Sequence, residues 1–199
     1  MMNEITNLLY WISTGLLIPV TILLLIFFIR SIFMIGAFYG TYINKMKFYK
    51  SHHKEISLFN KDNIRQEISS IDKNSKLLLP IYIQKLTLVE PMPLYYNKVL
   101  DDFENECQKD LSKSQIIAKI GPILGLMGTL IPMGPALVGL AAGDIESMAL
   151  NMQIAFATTV IGLLTGALGF IIMQIKKRWY ASDISYLEFV IELLKQSQP

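Results

Sequence analysis

The chain of 199 residues has one cysteine, Cys107, and two histidines, His52 and His53. A single cysteine excludes an internal disulfide and leaves no thiolate set for a metal. Cys107 lies in a polar stretch and reads as a solvated or partly packed thiol. The histidines are neighbours with no further ligand cluster nearby, so a solvated pair is expected, and no metal or other cofactor. Charged residues make up 17% of the sequence, and the net charge of +2 is too small to point to nucleic acid. Enzyme motifs are missing as well: no HExxH, no phosphate loop, no Ser/His pairing and no paired intramembrane carboxylates. An enzyme is therefore not expected. The N-terminus, Met1-Met2-Asn3-Glu4, lacks a basic n-region and no small-residue cleavage site follows, so the first apolar block is expected to stay on the mature protein.

What is abundant is apolar: 52% of the residues, gathered into a few long blocks. Leu8 to Ile29 carries no charge and matches the roughly 20 residues a membrane-spanning helix needs. After Arg30, Ser31 to Ile43 is again apolar and aromatic, so one helix is expected to cross the membrane and run out of it. Arg30 then snorkels to the head groups or faces other protein. Lys45 to Ser114 is polar, with Ile64, Ile68 and Ile71 on one helical face and Tyr95, Val99 and Phe103 opening another. Pro80, Pro91 and Pro93 are expected to break it into pieces. A second span, Ile120 to Ala142, and a third, Ile154 to Ile175, form an antiparallel hairpin across the short segment Gly143 to Gln153. Lys176-Lys177-Arg178 ends the membrane region, and Ile184 to Leu194 is amphipathic. The fold class expected is all-α: an integral membrane protein with three transmembrane helices and a small helical cytoplasmic domain. Residues 1–44 form the first span and its extension, 45–115 the cytoplasmic domain, 116–176 the hairpin and 177–199 a C-terminal helix. Bases flank the span ends beside the middle segment and the C-terminus, whereas the hairpin loop carries only Asp144 and Glu146. The positive-inside rule thus places the N-terminus outside and the C-terminus in the cytoplasm.

The second and third spans are not plain anchors. Gly121, Gly125 and Gly128 recur in one, and Ala155, Gly162 and Gly166 in the other. Small residues let helices approach closely in lipid, which supplies no hydrophobic push. With only three spans available, oligomerisation is expected. Pro132 and Pro135 free backbone carbonyls and suggest a bend beside a cavity or partner. Thr129 and Thr159 lie on the same stripes, with Thr158 adjacent. Each hydroxyl could donate to a carboxylate or coordinate a cation through oxygen, or bond its own helix at i−4. No span has Asp, Glu or His in its interior, so if ions cross here the carboxylate must come from another polypeptide.

Gly125-Leu126-Met127-Gly128-Thr129 and Ala155-Phe156-Ala157-Thr158-Thr159-Val160-Ile161-Gly162-Leu163 resemble the two span motifs of the MotA/TolQ/ExbB proton channel family. The likeness covers roughly residues 118 to 175, and the order of span, cytoplasmic domain and hairpin is similar to the three-span TolQ/ExbB layout. The resemblance implies a homopentamer around a dimer of an ExbD/TolR/MotB-like single-span protein with an Asp in its span. It also implies that Thr129 and Thr159 face that Asp, and that H⁺ or Na⁺ is the transported ion. Such a complex works in the cell (inner) membrane, in a molecular motor or in protein transport. Ile154 stands where ExbB-like members carry Glu. The extra Thr158 adds a hydroxyl that could favour Na⁺. The alternative is an oligomeric membrane scaffold without ion conduction.

Overall fold

The computed structural model describes residues 2–52, 77–89 and 92–196, with the backbone alone for residues 2, 3 and 48–52. Among these residues there are helices and no strand: α1 (Met2–Gly15), α2 (Leu17–His52), α3 (Leu78–Leu88), α4 (Pro93–Ala141) and α5 (Ile145–Gln196). Three helical stretches are long and apolar enough to cross a membrane: Glu4–Lys47, Pro93–Ala141 and Ile145–Gln196. At 49 and 52 residues, α4 and α5 are each about 75 Å long, against roughly 30 Å of hydrocarbon. Each therefore runs far beyond its span.

The chain divides into two compact units. The first comprises Met1–Ile35 and Ser114–Met173. Its opening helix is interrupted at Leu16, where the sequence pattern predicts continuity. Pro19 supplies no N–H to the Gly15 carbonyl, so the ladder loses a rung there. It resumes with Val20, whose N–H donates to the Leu16 carbonyl. Val20 and Leu24 pack against Leu124 and Ile131, with Phe27, Met127 and Ile161 around them.

The loop between the second and third spans is much shorter than the expected Gly143 to Gln153, because α5 begins at Ile145. Gly143 adopts φ +76°. Its N–H reaches the Leu140 carbonyl, and that of Asp144 reaches the Gly139 carbonyl at 2.8 Å. This is a Schellman closure, whose left-handed position suits glycine. Asp144 then accepts from the Ser147 N–H at 2.9 Å and caps α5. α4 stays helical through Pro122, Pro132 and Pro135.

The second unit comprises Gly36–Lys113 and Gln174–Pro199. Its core joins Leu79, Ile83 and Leu86 of α3, Tyr96, Val99, Phe103 and Cys107 of α4, and Leu187, Val190 and Leu194 of α5. The buried face of α4 starts at Tyr96; Tyr95 is 43% exposed. Two prolines open helices here instead of breaking them. Pro93 is the first residue of α4 and Pro80 lies in the first turn of α3, where backbone N–H groups have no helical partner to lose. Pro91, His53 and the Ile64, Ile68, Ile71 face lie outside the described residues, as does the side chain of His52.

Candidate functional site

The hairpin of α4 and α5 is held by backbone contact. A Cβ on Gly162 would lie 2.5 Å from the Gly125 Cα and 2.8 Å from the Gly121 carbonyl oxygen. One on Gly121 would lie 2.9 Å from the Gly166 nitrogen, and one on Gly166 would run into the Pro122 ring. Gly169 is set against Ala118 in the same way. The small residues singled out for close packing therefore meet one another inside a single chain. Oligomerisation is not needed to explain them. Pro132, Ala136 and Ala155 are buried as well.

The threonines sit at this interface. Thr158 is buried and packs on Gly128, where a Cβ would come within 2.6 Å of the Thr158 Cβ. Its hydroxyl donates to the carbonyls of Ala155 at 2.9 Å and Ile154 at 3.0 Å. Thr129 and Thr159 are partly exposed at the margin. Thr129 donates to the Leu126 carbonyl at 2.7 Å and Thr159 to the Ala155 carbonyl at 3.0 Å. All three protons thus bond their own helices. The oxygens keep lone pairs, able to accept from a protonated carboxyl or to ligate a cation. Donation to a carboxylate would first require release of the backbone carbonyl. Pro132, inside the helix, offers no N–H to the carbonyl of Gly128. Thr165, fully buried, donates to the Ile161 carbonyl at 2.7 Å and fills space beside Gly121. Ile154 is 40% exposed, and Arg30 is exposed.

The second unit contains a polar cluster that the sequence does not reveal. Lys45 of α2 and Asp183 of α5 form a buried ion pair at 2.5 Å, with the Lys45 ammonium 5.1 Å from the Trp179 ring centroid and 5.7 Å from that of Tyr180. Asp110 accepts from Lys176 and from the Tyr180 hydroxyl, each at 2.6 Å. Burial alone would raise the Asp110 carboxyl, but the bonds from Lys176 and Tyr180 outweigh it and hold the group below its ordinary range. Burial and the bond to Asp110 push the Tyr180 phenol upward. Cys107 is a core residue and not a solvated thiol; burial, aided by Asp183 and opposed by Lys45, pushes it up to about 12. Among the described residues no group of three or more His, Cys, Asp or Glu side chains could hold a metal.

A family model described as the MotA/TolQ/ExbB proton channel family matches residues 58–188. No curated protein and no solved structure matches the chain.

Proposed function

The chain belongs to the MotA/TolQ/ExbB proton channel family, and from that premise we propose that this multi-pass membrane protein is the channel-forming stator subunit of a motor driven by an ion gradient. In this reading five copies surround a dimer of an ExbD/TolR/MotB-like single-span protein. Its Asp supplies the carboxylate that the hairpin lacks. H⁺ or Na⁺ crosses at that Asp, and each charge delivers about 2.3 kcal/mol per 100 mV to rotation or to work on an envelope component. The complex lies in the cell membrane, with the N-terminus outside and the C-terminus in the cytoplasm.

The observation that carries this reading is a hairpin that presents the hydroxyls of Thr129 and Thr159 at its margin and has no acidic residue of its own between Gly121 and Ala141 or between Ser147 and Met173. Oxygens without a titratable group suit a relay whose proton carrier is foreign. The scaffold alternative draws on glycine faces free to join neighbouring subunits. Here those faces are filled within the chain by Gly121, Gly125, Gly162 and Gly166, which weakens it.

The test is ion flux into vesicles containing the chain with and without its single-span partner. Flux should require the partner. Thr129→Val should lower partner-dependent flux by about tenfold or more, the scale of one lost hydrogen bond to a charged group, while the complex still assembles. Undiminished flux in Thr129→Val, or equal flux from the chain alone, would overturn the proposal.

A further inference from the structure

Lys176-Lys177-Arg178 is the one run of three consecutive cations in the sequence. Its members have different surroundings. Lys176 is bonded to Asp110 at 2.6 Å. Lys177 and Arg178 are exposed, and neither has an ion pair among the described residues. Both line a cleft of about 800 Å³, together with Gln174, Ile175, Trp179 and Ser182. Gln174, Arg178 and Ser182 follow one another at i, i+4 and i+8 and so form one row along α5. Lys177 borders this row on one side, Ile175 and Trp179 on the other. The Trp179 ring is fixed, stacked on Phe38 with centroids 5.3 Å apart and planes 8° from parallel. The cleft starts where the apolar run Ile154 to Ile175 ends, which is where a span of about 20 residues meets the head groups.

We propose that this cleft binds the phosphate head group of an anionic phospholipid. Two cations without counter-charges among the described residues, beside the Gln174 amide, match a phosphodiester. The Arg178 guanidinium forks onto two phosphate oxygens and Lys177 adds a point charge. Ile175 and the Trp179 indole offer an apolar wall for the glycerol and the first methylenes, the amphipathic setting in which tryptophan is favoured at membrane surfaces. A soluble phosphate has no use for that wall. Basic clefts at the cytoplasmic ends of spans are suited to anionic head groups in this way. The inference is independent of the channel reading, since it concerns retained lipid and not flux.

The test uses the full-length chain purified in detergent, incubated with equal amounts of phosphatidylglycerol and phosphatidylcholine, with retained lipid identified by native mass spectrometry. Phosphatidylglycerol should be retained in preference. Lys177→Gln with Arg178→Gln should reduce that preference by at least about tenfold, given what two cations contribute near an anionic surface. The charge-keeping exchange of Lys177→Arg with Arg178→Lys should preserve it. Lys98→Gln with Lys109→Gln removes the same charge from exposed positions elsewhere and should leave it unchanged. sn-Glycerol 3-phosphate at the lipid's concentration should not displace the lipid. Equal retention of the two lipids by the unmodified chain overturns the proposal. An equal loss in the Lys98/Lys109 variant overturns it too, as does displacement by glycerol phosphate, which would mark a site for free phosphate.

Discussion

A single methyl group separates the glycines of this chain into two classes. On Gly162 it would enter the backbone of Gly125 and Gly121, neither of which is a flexible side-chain end able to turn aside. On Gly36 and Gly40 it would meet nothing within 4 Å. Gly162→Ala should therefore force α4 and α5 apart, costing about 1–3 kcal/mol or more in overpacking. In contrast, Gly40→Ala should be neutral or gain roughly 0.5–1 kcal/mol in helix propensity. Thermal unfolding of the two variants in the same detergent measures the difference; equal melting temperatures would contradict the close approach. The stripe of small residues was legible in the sequence, since it follows helical spacing. What it packs against was not, because small-residue periodicity is the same whether the partner is the next span or the next subunit. The threonines show the same gap: helical spacing puts Thr159 on the stripe and leaves Thr158 beside it, whereas Thr158 is the one that packs on Gly128.

Among the helices, the three with long apolar runs are legible in the sequence, whereas where each begins and ends depends on caps and missing donors that hydropathy does not report. The turn at Gly143 and Asp144 was foreshadowed by an acidic, glycine-containing segment. The early start of α5 comes from the Asp144 cap, which lets polar Ser147, Asn151 and Gln153 join the helix. The interruption at Leu16 follows from one missing N–H at Pro19, a signal weaker than the apolar run that surrounds it. Joining α2 to α5, Lys45 and Asp183 lie 138 residues apart in the chain, a distance at which no local periodicity reports a contact. Removing one member of such a pair leaves the other charged in an apolar setting. Lys45→Met should therefore destabilise the second unit by about 3–5 kcal/mol. Lys45→Met combined with Asp183→Leu should recover much of that loss, since two apolar side chains need no counter-charge. A double-mutant cycle by thermal unfolding checks this; strictly additive losses would mean that the two residues do not act as a pair.

For the molecule as a whole, the two units rest on different physics, and acidity should distinguish them. The hairpin is held by backbone-to-backbone packing among Gly121, Gly125, Gly162 and Gly166, which carries no proton-dependent term. The second unit ties α4 to α5 through Asp110, which accepts from Lys176 and Tyr180. Burial disfavours the Asp110 carboxylate, but these two bonds outweigh it and its folded-state value is depressed. A depressed carboxyl stabilises the fold fully above its ordinary range, and that contribution falls away as the pH drops through the folded-state value. The chain should thus lose stability progressively on acidification below the usual carboxylate range. Asp110→Asn should be less stable than the unmodified chain at neutral pH, with the difference narrowing as the pH falls. Melting temperatures of both proteins across an acid pH series in one detergent measure that convergence. A constant gap at every pH would show that Asp110 contributes through packing and neutral hydrogen bonds and not through its charge.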